Sequence, residues 1–133
     1  MTLTTLFPLA ALAFFVLATL AISSRQPGDA SPRWPIPAGL SVAFLAFSLG
    51  AIVQEGPLGF WENHSQNLWG NQVWFDLLIA FGIGWLFAVP RARAVGMRPL
   101  PWLCALLLTG GIGLLAMLAR IFYLEGQQPS ART

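Results

Sequence analysis

The sequence predicts an all-α membrane protein: a four-transmembrane-helix bundle with an outer interfacial loop or short helix between the second and third helices. Three observations carry that prediction. Hydrophobic residues make up 56% of the chain and charged residues only 9%, with a mean hydropathy of +0.69, far from a soluble composition. Four apolar segments, roughly 3–22, 38–54, 73–89 and 100–124, approach the ~20 helical residues that cross a hydrocarbon core. Pro35, Pro37, Pro90, Pro99 and Pro101 fall at the segment borders, where a missing amide proton costs a helix little.

The first segment has the apolar run of a signal peptide. It lacks a basic flank and fits an A-x-A cleavage site poorly, so it reads as a retained helix with Pro8 as a possible kink. In the second segment Gly39, Ala43, Ala46 and Gly50 share one face, which Gln54 continues at its end. In the third, Asp76, Ala80 and Gly84 follow at i, i+4 and i+8. In the fourth, read as one helix, Ala105, Thr109, Gly113, Ala116 and Arg120 share a narrow face. Stripes of small residues let helices approach closely in lipid, where packing drives association. Residues 1–125 then form one domain, and 126–133 a polar tail.

Charge sets the expected orientation. All seven basic residues are arginines. Arg25 and Arg33 mark the first connector, and Arg91, Arg93 and Arg98 the third, whereas the connector over 55–72 has none. The positive-inside rule places the first and third connectors in the cytoplasm and both termini outside, with Arg120 and Arg132 as counter-indications. The lysine-free, Ala- and Leu-rich composition suggests a high-GC bacterial genome, hence a multi-pass protein of the bacterial cytoplasmic (inner) membrane. A net charge of +2 spread over connectors offers no nucleic-acid footprint. Cys104 is the single cysteine, which excludes an intrachain disulfide and a paired-thiolate metal site.

Chemistry-bearing residues gather on the side of the 55–72 connector. Asp76 and Arg120 are the ionisable groups inside apolar segments, and antiparallel third and fourth helices would offset them by about 7 Å along the axis. One reading pairs them, with Gln54, in a polar cluster at the outer rim. The other has Arg120 snorkelling to headgroups and Asp76 complementing its helix dipole. The connector holds Glu55, Glu62 and His64 among the rings of Trp61 and Trp69, the pattern of a segment lying along the headgroups. One histidine and a Glu at i, i+2 do not make a metal site, so none is assigned. The sequence leaves the cofactor open, including a pigment, quinone or lipid.

The run VWFDLLIA at Val73 to Ala80, the turn RAVGM at Arg93 to Met97 and the pair Pro101-Trp102 resemble a family of small bacterial integral-membrane proteins known as a domain of unknown function. That resemblance covers Gly70 to Leu124. It implies a helical membrane fold and a recurrent aspartate at Asp76, and it brings no activity. Arg120 departs from the pattern, and His64 lies outside it. A fainter analogy is to fungal integral-membrane meroterpenoid cyclases, which implies Asp76 or Glu62 as general acid and tryptophan faces that stabilise cations.

These readings order three functions. The first is a non-catalytic accessory or structural subunit of a larger bacterial membrane complex, contacting lipids and other membrane polypeptides or a second copy of itself. The alternative is an enzyme acting on a lipid or isoprenoid, with Asp76 and Glu62 as acid and base. The third is a small transporter or proton relay.

Overall fold

The computed structural model describes residues 3–24 and 32–127. Arg25, Arg132 and the polar tail beyond Gln127 lie outside the described residues. The described chain is helical throughout, with six helices and no strand among the described residues. It divides into two units, Met1–Ser31 and Pro32–Thr133. The first unit contains α1 (Leu3–Ser23), which runs through Pro8 without breaking. The second contains α2 (Pro35–Glu55), α3 (Gly59–Ser65), α4 (Leu68–Ala94), α5 (Pro99–Thr109) and α6 (Gly111–Gln127).

Among the described residues two helices rather than the four expected, α2 and α4, are long and apolar enough to cross a membrane. Their most apolar windows are only 11% and 6% buried within the protein. A core helix of a soluble protein would be largely covered, and these present Val42, Val53, Leu86 and Phe87 to their surroundings. α2 starts three residues earlier than its apolar run because Pro35 and Pro37 occupy its first turn, where they are tolerated. α4 is longer than expected at both ends. Asn67 caps it by accepting a 2.8 Å hydrogen bond from the Gly70 amide, and it continues through Pro90 to Ala94.

The fourth expected spanning helix is not one helix. Residues 100–124 divide at Gly110 into α5 and α6. Gly110 takes φ +59°, a conformation that side-chain-bearing residues resist. Its amide donates back to the Leu106 carbonyl at 2.7 Å, closing α5. The chain then folds back on itself. A Cβ at Gly113 would lie 2.6 Å from the Ala105 carbonyl carbon and 2.8 Å from the Leu106 amide nitrogen. In a continuous helix residues 105 and 113 would stand about 12 Å apart, so α5 and α6 form a hairpin. Of the small-residue face expected of one long helix, Ala105 and Gly113 meet across the hairpin, whereas Thr109 and Arg120 are exposed.

The neighbours of α6 fix the direction of each helix. Gly110 and Gly111 pack on Phe81, Gly84 on Leu114, and Arg91 on Glu125, so α6 runs parallel to α4. Phe44 touches Gly111, the Ser41 hydroxyl donates to the Ile112 carbonyl at 3.0 Å, and Trp34 meets Tyr123, so α6 runs antiparallel to α2. Phe81 is the middle residue of α4 and Phe44 lies near the middle of α2. The hairpin therefore enters from the α4 carboxy-terminal end, turns halfway along the long helices and returns. The core sits below that turn, where Ala88, Ala92, Met117 and Ile121 are buried and Trp85, Met97 and Trp102 close around them.

The two ends differ. All five described arginines, Arg33, Arg91, Arg93, Arg98 and Arg120, belong to the end where α2 begins and α4 and α6 finish. Glu55, Glu62, His64 and Asp76 belong to the other end. The expectation that the chain's carboxy-terminal side shares an end with the 55–72 connector is corrected: the close of α6 lies at the opposite end, because the hairpin consumes the residues that a spanning helix would have used.

Candidate functional site

At the end bearing residues 55–72, α3 is folded onto the first turns of α4. The backbone carbonyls of Asn63 and His64 come so near Gly70 that a Cβ there would meet one at 2.6 Å. Trp74 collects the rings of Phe60, Trp61 and His64, with centroids 6.2, 6.5 and 5.3 Å away. His64 donates from Nδ1 to the Phe60 carbonyl, the ordinary satisfaction of a residue one helical turn on. Among the described residues no group of three His, Cys, Asp or Glu side chains gathers around a point. Trp69 is exposed, as are Glu55 and Glu62.

Asp76 is also exposed, and its Oδ2 accepts a 2.9 Å hydrogen bond from Gln72 on its own helix. Arg120 lies far from it. Asp76 stands five residues from Phe81 toward one end, and Arg120 ten residues from Gly110 toward the other, about 20 Å apart along the axis. The expected Asp76–Arg120 pair is therefore not formed, and Gln54, at the far end of α2, does not join Arg120 either. The reason is again the turn at Gly110, which sends α6 back toward the arginine end. Ala80 is exposed, while Gly84 receives the Leu114 side chain, 2.7 Å from where a Cβ would be.

The ion pair that does form joins Arg91 to Glu125. Arg91 Nε donates to Oε1 at 2.9 Å and Nη2 to Oε2 at 2.6 Å, the two-pronged geometry that a planar guanidinium favours. The same guanidinium lies 4.8 Å over the Phe122 ring. Sequence reasoning gave Arg91 a role in orientation alone and gave Glu125 none. The signal was present, since Glu125 is the one carboxylate on the carboxy-terminal side of Asp76, but a straight fourth helix put it at the wrong end.

Beside this clamp, Trp34 at the start of α2 and residues of α5 and α6 line a shallow, open groove of about 380 Å³: Trp102, Ala116, Ala119, Arg120 and Tyr123. Trp34 meets Tyr123 edge to face, centroids 5.9 Å apart at 89°. Arg120 lies 5.7 Å over the Tyr123 ring, a cation-π contact, and has no carboxylate partner among the described residues. The two alanines make the floor low, and the large rings make the walls. Such a site suits a molecule with an apolar body and an anionic end. The residues belong to a class defined by fold alone: an all-α protein with two helices of bilayer length and a half-length helical hairpin packed between them. No family model matches the chain, and no characterised protein or solved structure is significantly similar to it.

Proposed function

We propose that this is a membrane-embedded protein serving as a non-catalytic accessory or structural subunit of a larger complex in a bacterial cytoplasmic membrane. Two helices span the bilayer, the hairpin of α5 and α6 re-enters it, and the arginine end faces the cytoplasm by the positive-inside rule. The close of α6 is then cytoplasmic.

One observation carries the subunit reading. α2 meets α6 through Ser41 and Phe44, with Pro37 buried on the same face, while Gly39, Ala43 and Ala46 are exposed. A Cβ placed at Gly39 or Gly50 would have nothing within 4 Å. Within residues 32–127 this small-residue stripe faces away from the hairpin. A smooth stripe offers lipid less contact than large side chains would, yet it admits another helix at close range. The enzyme reading has less behind it: Asp76 and Glu62 are both exposed, and Asp76 is engaged by Gln72.

The test is site-specific photo-crosslinking in native membranes from Ala43, with Leu86 as the control. The proposal expects one discrete polypeptide adduct from Ala43 that is lost when Gly39 is replaced by Leu, and none from Leu86. Adducts with lipid alone at both positions would contradict it.

A further inference from the structure

We infer that the groove between α2, α5 and α6 binds one anionic glycerophospholipid of the arginine-side leaflet, its phosphate on Arg120 and an acyl chain over Ala116 and Ala119. The inference rests on the bilayer placement proposed above. Depth supports it first. With the turn at Gly110 level with the middle of both long helices, Arg120 lies about 15 Å from the midplane, which is half of a ~30 Å hydrocarbon core. That is the boundary at which phosphate groups begin, and Trp34 and Trp102 flank the groove there as interfacial tryptophans do.

Charge supports it next. Glu125 is already taken by Arg91. Among the described residues Arg33, Arg93, Arg98 and Arg120 have no carboxylate partner. The charge of Arg120, at the end that also carries Arg33, Arg93 and Arg98, attracts a lipid with net negative charge. A zwitterionic lipid brings its own cation into that field and is disfavoured. Shape supplies the remainder, because Ala116 and Ala119 lower the floor between aromatic walls and leave about 380 Å³, room for a phosphate and the first methylenes of a chain.

The full-length chain, purified in mild detergent, is offered equimolar phosphatidylglycerol and phosphatidylcholine and read by native mass spectrometry. Wild type is expected to retain one phosphatidylglycerol in preference. Arg120→Gln should weaken that preference about fivefold, the effect of one interfacial charge, and Arg93→Gln, outside the groove lining, should change it less. Excess inorganic phosphate should not displace the lipid. Equal retention of both lipids by wild type, equal losses in the two variants, or displacement by free phosphate would each overturn the proposal. Arg120 is exposed, and thermal unfolding of Arg120→Gln reports whether the variant is folded. Where it is not, Arg120→Lys takes its place and should keep most of the preference; its losing as much as a neutral variant would count against a charge-reading site. Carbonate extraction of the starting membranes separates the two claims: a chain released by carbonate sinks the bilayer placement, whereas a retained chain without lipid preference sinks the groove alone.

Discussion

Gly113 of α6 rests on the backbone of Ala105 in α5, eight residues earlier, with no room for a side chain between them. This contact turns what composition marks as a fourth membrane span into a half-length hairpin. It also decides which residues share an end of the molecule.

Replacing Gly113 by Val should therefore be among the most damaging single changes. A Cβ 2.6 Å from a backbone carbonyl carbon cannot be absorbed by a flexible side chain, and overpacking of this kind costs about 1 to 3 kcal/mol or more. Thermal unfolding in detergent should show a lowered midpoint. Gly39→Val, in open space, should leave the midpoint unchanged.

Arg91 and Glu125 are coupled. Their side chains retain 41% and 33% exposure, so solvent screens the pair, and a double-mutant cycle with Arg91→Gln and Glu125→Gln should return about 0.5 to 1 kcal/mol. The same cycle on Asp76 and Arg120, by Asp76→Asn and Arg120→Gln, should return a value near zero. A large coupling there would restore the expected outer-rim pair.

Met117 and Ile121 are fully enclosed, whereas Leu108, at the hairpin tip, is 85% exposed. Met117→Ala should cost about 2 to 5 kcal/mol, because the cavity term survives even where lipid replaces water. Leu108→Ala removes contacts with surroundings rather than with protein, and should cost little. Equilibrium unfolding of both variants in the same detergent makes the comparison.

Much of this fold was legible in the chain. Pro35 and Asn67 mark the starts of α2 and α4 through ordinary end chemistry, whereas the apolar runs locate both helices but understate the length of α4. The break at Gly110 was written as Thr-Gly-Gly, the usual punctuation after a helix. It was overridden because 25 mostly apolar residues, 100–124, also fit one span, and hydropathy cannot tell one rod from two antiparallel halves. The site followed the same error. Arg120 was assigned to the end bearing Asp76, where it looked like a partner, and stands instead beside Trp34, Trp102 and Tyr123. Nothing in the local sequence singles out Trp34, and Trp102 stands out only in the pair Pro101-Trp102. That they wall a groove depends on α5 and α6 lying side by side, which no local pattern reveals. Spacing alone puts the small residues of α2 on one face, but the direction of that face, away from α6, depends on tertiary contacts.

The proposed re-entry of the hairpin into the bilayer is tested most directly by sidedness. In a Cys104→Ser background, Gln66→Cys and Gln127→Cys variants are treated in intact spheroplasts with a membrane-impermeant maleimide. The account requires Gln66→Cys to label from outside and Gln127→Cys to label only after lysis. If both label from outside, residues 100–124 cross the bilayer as one helix, and the hairpin, the arginine end and the groove are lost together.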